Sequence, residues 1–118
     1  MTKSTGPLLF FFLFPLLVSF NFGGYVKLAN ATTWCVAKPS ASDVELTSSI
    51  DYACNVLPNC SMIQPGGSCY LPNTLIYHAS VVMDQYYAEN GRNYWNCDFS
   101  GTGFIVSQDP SYGDCKFA

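Results

Sequence analysis

The carboxylates are the first side chains that could do chemistry, because a glycosidase uses two of them, one as general acid and one as base or nucleophile. Asp43 and Glu45 lie at the start of a predicted helix, where acidic side chains interact favourably with the helix dipole. Five others lie on predicted helix surfaces or in turn-rich segments, where Asp commonly bonds the local backbone: Asp51, Glu89, Asp98, Asp109 and Asp114. Their spacing supports no acid and base pair, so we expect a protein that is not an enzyme.

A nucleophile activated by histidine is not indicated either. His78 is the only histidine, and no serine stands in a Gly-x-Ser-x-Gly elbow. We interpret His78 as a hydrogen-bonded structural residue.

The six cysteines indicate disulfides rather than a metal site. Zinc sites favour cysteines about two to four residues apart with histidine support, whereas the nearest pair here, Cys54 and Cys60, is six apart. The spacing suggests a short bridge between these two and leaves the pairing of the others open: Cys35, Cys69, Cys97 and Cys115. We therefore predict three disulfides, no metal and no cofactor.

Aromatic residues are abundant where charge is scarce. Twelve follow residue 33: Trp34, Tyr52, Tyr70, Tyr77, Tyr86, Tyr87, Tyr94, Trp95, Phe99, Phe104, Tyr112 and Phe117. We expect Trp34 and Trp95, which stand beside or near a cysteine, to pack on a disulfide. Seven tyrosines are too many to bury, because each buried hydroxyl needs a partner. Tyrosines interleaved with amides and carboxylates at a surface suit carbohydrate.

The elements that must position these side chains are two helices and a few short strands. A capping box at Ser42 and Glu45 with helical apolar spacing predicts a first helix over 43–55, ended by Pro58. Residues 65–72 form a loop, and a second helix starts at Asn73 or Thr74 and ends near residues 90–91. Residues 94–99 and 103–106 are predicted to form a small hairpin around residues 100–101, with a turn at 109–111.

The amino terminus has the pattern of a secretory signal peptide. Positions 8–20 are almost all Leu, Phe or Val, the run contains Pro15, and Ala29-Asn30-Ala31 is a plausible cleavage site, with cleavage near Gly24 as an alternative. We take 1–31 as the signal peptide and 32–118 as one small domain with three basic and eight acidic residues. This acidic balance argues against nucleic acid as a partner. With no second apolar stretch after Cys115, we expect a soluble, secreted chain without a membrane anchor.

A series of motifs resembles the plant X8 domain, which is carbohydrate-binding module family 43. The matching stretches are residues 34–38 (WCVAK), 51–54 (DYAC), 60–61 (CS), 63–70 (IQPGGSCY), 72–74 (PNT), 78–80 (HAS), 86–87 (YY), 95–101 (WNCDFSG) and 109–115 (DPSYGDC). The chain looks like the free-standing, secreted members of that family. It departs from the usual family residues at Val81, Asp84 and Ala88.

The resemblance implies a small disulfide-rich α+β domain, with two packed helices and a short antiparallel β-sheet. It implies bridges joining Cys35 with Cys97, Cys54 with Cys60, and Cys69 with Cys115, and the two long loops would each contribute roughly 4 kcal/mol in the chain-entropy model. It also implies non-catalytic binding of β-1,3-glucan such as callose in the plant cell wall, by a monomer for which a separate glucanase is a candidate partner.

We expect the ligand surface on the solvent side of the second helix and the adjoining hairpin: Tyr77, Asp84, Tyr87, Asn93, Tyr94 and Asp98. The rival interpretation is a disulfide-rich signalling or defence protein that binds a protein or a lipid. An apolar cavity between the helices would favour a lipid, whereas an exposed row of tyrosines favours a glycan.

Two asparagines have the form of N-glycosylation acceptors. Asn59-Cys60-Ser61 is one, although a bridged Cys60 in a tight turn could block it. Asn30-Ala31-Thr32 is the other, and it is lost if cleavage follows Ala31.

Overall fold

A computed structural model describes residues 31–118, of which Thr33–Ala118 form one compact unit. The predicted signal peptide, 1–31, lies outside the described residues apart from its last position. In the described part of the chain, no helix has the length and apolar character needed to cross a membrane.

The first helix, α1 (Asp43–Val56), begins where the sequence predicted. The Ser42 side chain accepts a hydrogen bond from the Glu45 backbone N–H, and the Glu45 side chain accepts one from the Ser42 N–H, which satisfies two free donors of the first turn. Leu46 and Ala53 are buried on its inner face. The helix ends two residues before Pro58, one residue later than predicted.

The second helix, α2 (Leu75–Glu89), is the centre of the domain. Thr74 caps its start, and Gly91 follows its end with a positive φ of 97°. Six consecutive residues, 79–84, are buried, which a surface helix with one apolar stripe would not show. They are buried because α2 packs against α1 and also against the first strand.

The sheet has two antiparallel strands that are far apart in sequence. Strand β1 (Trp34–Ala37) pairs with β2 (Gly103–Val106), with Trp34 opposite Val106 and Ala37 opposite Gly103. The predicted hairpin is therefore wrong. Tyr94–Cys97 and Phe99–Gly101 are short 3-10 helices, and β2 pairs with β1, which comes first in the described sequence. Local patterns indicate a strand but do not specify which segment pairs with it.

Three disulfides join Cys35 with Cys97, Cys54 with Cys60, and Cys69 with Cys115. They are the pairs that the family resemblance implied. With two packed helices and a short antiparallel sheet, they confirm the small disulfide-rich α+β fold. A third 3-10 helix, Ser61–Ile63, follows the Cys54–Cys60 turn.

Candidate functional site

Two of the six residues expected at a ligand surface lie in the core. Asp84 and Tyr87 are 0% and 1% exposed, so the prediction that they lie on the solvent side of α2 is wrong. The Tyr87 hydroxyl pairs with the Thr33 hydroxyl at 2.6 Å, and its ring lies beneath the Arg92 guanidinium. The physical reason is that this side of α2 faces β1 rather than solvent.

Asp84 has a structural task that its sequence position does not reveal. Its Oδ1 accepts a 2.9 Å hydrogen bond from the Cys35 N–H, and the Ser80 hydroxyl, one turn earlier, accepts a 2.9 Å bond from the Ala37 N–H. These two side chains satisfy donors of β1 that β2 does not reach. Burial raises the pKa of Asp84 from 3.8 to about 6, although the Cys35 N–H and the charge of Arg92 oppose the rise.

Of the other four expected residues, three are exposed and one is half-buried. Tyr77 is exposed, and its ring packs against Tyr112 at a centroid distance of 5.6 Å. Asn93 is half-buried and Tyr94 is 75% exposed. Asp98 lies on the surface at the 3-10 helices, in a depression that Tyr77 does not line.

The structure instead brings together three aromatic rings from three elements, which we call the aromatic cluster: Tyr52, Tyr86 and Phe99. All three pairs meet edge to face, with centroids 5.4 to 6.2 Å apart. This is a favourable geometry for aromatic quadrupoles. The hydroxyls of Tyr52 and Tyr86 are 3.3 Å apart, and this hydrogen bond, with burial, raises the pKa of Tyr86. The Tyr86 hydroxyl therefore remains protonated and available for hydrogen bonding at neutral pH.

An unusual backbone turn holds Phe99 in the cluster. Phe99 and Ser100 have positive φ angles of 44° and 53°, a conformation that non-glycine residues rarely adopt. The Asp98 carbonyl stabilises the turn by accepting hydrogen bonds from the Gly101 N–H at 2.8 Å and the Gly103 N–H at 3.3 Å. Such strained positions concentrate at functional sites. Here the turn orders one ring and one hydroxyl beside α1.

Two adjoining depressions of about 430 and 320 Å³ run along this surface, and we call them together the aromatic groove. They share Tyr52, Phe99 and Ser100. One depression continues along α1 and the other continues past the Tyr94–Cys97 turn, and the remaining lining residues are Val44, Glu45, Ser48, Ser49, Thr102, Tyr86, Trp95, Asn96 and Asp98.

The groove combines exposed rings with neutral hydrogen-bonding groups. Tyr52 and Trp95 are 54% and 61% exposed, and the Ser48 and Ser100 hydroxyls are also at the surface. No Lys or Arg lines either depression. Ring faces can contact the C–H faces of a ligand while hydroxyls and carboxylates bond its polar edges. The arrangement suits an uncharged ligand with many hydroxyls.

The two carboxylates of the groove are not equivalent. The Glu45 Oε1 accepts a 2.8 Å hydrogen bond from the Ser42 N–H as part of the helix cap, whereas Asp98 lies on the surface.

Among residues 31–118, no group of three or more His, Cys, Asp or Glu side chains is placed to hold a metal ion.

Two further depressions lie elsewhere on the described domain. One, of about 610 Å³, is lined by the 66–71 loop and residues 112–114. The other, of about 310 Å³, is largely apolar and lies where β1, β2 and the first turns of α2 meet the carboxy-terminal residues. It is not a cavity between the two helices, which would have favoured a lipid, because no residue of α1 lines it.

The structure confirms the expectation for His78 and places Trp95 at the surface. The His78 Nε2 is 2.7 Å from the Tyr70 carbonyl oxygen, so this histidine is hydrogen-bonded within the structure, as expected. Trp95 is mainly exposed beside Tyr94, at a centroid distance of 5.2 Å, and is therefore not a core residue.

Sequence reasoning missed the groove because its residues come from separate segments. One signal was present: Glu45, Ser48, Ser49 and Tyr52 have the i, i+3, i+4, i+7 spacing that places residues on one helix face. That face carries hydroxyls and an aromatic ring outside the apolar stripe. The second wall depends on the positive φ values at residues 99–101, which the sequence does not reveal.

Comparison with known proteins identifies the family. The model of the X8 domain matches residues 33–104, and the chain belongs to this family. It is 51% identical over 85 residues to the major pollen allergen Ole e 10 of Olea europaea. This match covers 71% of this chain and 69% of the allergen. It is 53% identical over 87 residues to a glucan endo-1,3-beta-D-glucosidase of Olea europaea and 51% identical over 84 residues to a glucan endo-1,3-beta-glucosidase of Triticum aestivum. Those matches cover 74% and 71% of this chain but only 19% and 18% of the glucosidases.

Proposed function

We propose that this protein is a non-catalytic module that binds β-1,3-glucan of the callose type in the plant cell wall, and that the aromatic groove is its contact surface. The observation that carries the proposal is the groove itself, in which exposed Tyr52 and Trp95 rings stand beside uncharged hydroxyls. The relatives support the ligand class, because two of the similar proteins are named for cleavage of 1,3-β-linked glucan.

The groove is ordered before any ligand arrives, which reduces the entropy cost of binding. The aromatic cluster fixes Tyr52, and the Asp98 carbonyl fixes the turn that presents Ser100. Trp95 supplies a large exposed ring at the other end. A glucan chain lying along the groove would place sugar faces on the rings and hydroxyls against Ser48, Ser100 and Asp98.

The carboxylates support binding rather than hydrolysis. A glycosidase needs both a general acid and a second carboxylate as base or nucleophile. The Glu45 carboxylate is hydrogen-bonded in the amino-terminal cap of α1. Asp98 is the groove carboxylate that takes no part in a helix cap. The glucosidase relatives contain this domain as less than a fifth of their length, so their activity is not transferred to this chain.

The proposal includes the cellular setting expected from the sequence. The protein is secreted after removal of 1–31, acts extracellularly at the cell wall as a monomer, and needs no cofactor. A separate glucanase that attacks the same polysaccharide is its candidate partner. The acidic excess of residues 32–118 disfavours nucleic acid.

Retention of the oxidised protein on insoluble β-1,3-glucan, beside cellulose, xylan and chitin, tests the proposal. We expect selective retention on β-1,3-glucan without release of sugar. Trp95→Ala should weaken retention about tenfold, which corresponds to roughly 1.4 kcal/mol, because an exposed stacking surface is lost. Tyr77→Ala is the matched control, since it removes an exposed aromatic ring outside the groove.

The outcomes separate the function from its location. Loss of retention in Tyr77→Ala with none in Trp95→Ala would place the glucan site away from the groove. Failure of the folded wild-type protein to bind any of the four polysaccharides would refute the glucan proposal and favour a protein or lipid partner.

A further inference from the structure

The turn that follows α1 carries a feature that glucan binding does not use. The chain leaves α1, passes Pro58 and reaches Asn59-Cys60-Ser61, which has the Asn-x-Ser form of an N-glycosylation acceptor with no proline in the middle. Asn59 and Ser61 are both exposed. Ser61 begins the short Ser61–Ile63 helix, so the acceptor lies at the junction of two elements.

In the folded turn, the Asn59 side chain is held through its amide oxygen rather than its nitrogen. The Asn59 Oδ1 accepts a 2.8 Å bond from the Ser61 hydroxyl and a 3.1 Å bond from the Ser61 N–H. No described residue hydrogen-bonds the Asn59 Nδ2, so a sugar attached to this nitrogen would displace no hydrogen bond of the folded turn.

We propose that Asn59 is an N-glycosylation site when the chain passes through the secretory pathway. The donor is an oligosaccharide linked through pyrophosphate to a lipid. Nδ2 forms a bond to the anomeric carbon of the first sugar and loses a proton, and the bond from that carbon to the pyrophosphate oxygen breaks, so that the lipid pyrophosphate leaves with the electron pair.

The disulfide at the middle residue of the acceptor sets the order of events. Cys60 is bonded to Cys54 across only six positions, and the turn is further closed by the Cys60 carbonyl, which accepts from the Ile63 N–H. A transferring enzyme must bind the acceptor as an accessible strand, so glycosylation precedes closure of this bridge. The fraction of chains glycosylated at Asn59 therefore depends on the rate of glycan transfer relative to the rate of disulfide formation. This fraction rises when the Cys54–Cys60 bridge cannot form.

The attachment point of the glycan is not part of the proposed glucan surface. Asn59 lines neither depression of the aromatic groove. Binding of β-1,3-glucan should therefore be unchanged by the glycan, and the modification stands or falls independently of the proposed function.

Secretion of residues 31–118 from plant cells behind an established leader peptide tests the proposal, because this chain omits Asn30 and does not depend on its own amino terminus. We expect intact mass spectrometry to show a glycosylated fraction that a peptide-N-glycosidase removes, and peptide mapping to place it at Asn59. Asn59→Gln and Ser61→Ala should abolish the fraction, whereas Ser61→Thr should retain it. The double variant Cys54→Ser/Cys60→Ser should raise it severalfold.

The control is the folding state of each secreted protein. Asn59→Gln should contain the same three disulfides as the wild type, which shows that loss of the glycan is not loss of the fold. The proposal is overturned if wild type and Ser61→Thr are both secreted at the mass of the bare polypeptide. It is equally overturned if only the cysteine double variant is modified, since the bridge would then mask the site in the natural protein.

Discussion

Replacement of Asp84 by Asn should make the protein more stable at neutral pH and remove part of its pH dependence. Asp84 is fully buried, its Oδ1 accepts from the Cys35 N–H, and its Oδ2 has no hydrogen-bond partner among the described residues. An unpaired buried charge is costly. The amide keeps the acceptor for Cys35 and carries no charge, so it removes the cost of ionisation without breaking the contact with β1.

The magnitude follows from the pKa of Asp84, which burial raises from 3.8 to about 6. The folded protein binds the Asp84 proton more tightly than the unfolded chain does. The contribution of this proton to the free energy of unfolding is therefore fully present below about pH 4 and is lost as the pH rises through 6. At about 1.4 kcal/mol for each pKa unit, the loss is roughly 2 to 3 kcal/mol. Asp84→Asn should therefore match the wild type near pH 4 and exceed it by roughly 2 to 3 kcal/mol at pH 8.

Denaturant unfolding from pH 4 to pH 8, with the disulfides intact and tryptophan fluorescence as the signal, measures this effect. Asp51→Asn is the control, because Asp51 is an exposed carboxylate of α1 whose removal changes the net charge equally. The difference between Asp84→Asn and the wild type should grow with pH, while the difference for Asp51→Asn should stay nearly constant. Parallel pH profiles for Asp84→Asn and the wild type would refute the reasoning, as would lower stability of Asp84→Asn at pH 8.

Two further predictions concern the fold. Gly103→Ala should lower the free energy of unfolding by roughly 1 to 3 kcal/mol, because a Cβ at residue 103 would collide with the Cys97 carbonyl oxygen, and wild-type stability in chemical denaturation would contradict this packing. Ser42→Ala should lower the free energy of unfolding by about 1 kcal/mol, because the Glu45 N–H loses its side-chain acceptor. Replacement of the exposed Ser40 by Ala should leave the stability unchanged in the same assay. Equal effects of the two substitutions would argue against the cap.

Local signals were sufficient to predict both helices. The Ser42 and Glu45 pair and Pro58 delimit α1, and Thr74 and Gly91 delimit α2, because caps and breakers act within a few residues of their position. Sequence patterns failed for β2, whose partner β1 lies more than 60 residues earlier. Pairing over such distances depends on how the helices pack, and no local propensity encodes it.

By itself, the sequence determined the helices, the presence of six paired cysteines and the family motifs, since these depend on residue type, spacing and resemblance. Only the tertiary structure decided which aromatic residues face solvent. Packing of α2 between α1 and β1 buried Asp84 and Tyr87, while the left-handed turn at Phe99 joined Tyr52 and Tyr86 into a cluster. The physical reason is that exposure and groove geometry depend on neighbours contributed by distant segments, which the pattern along one helix cannot specify.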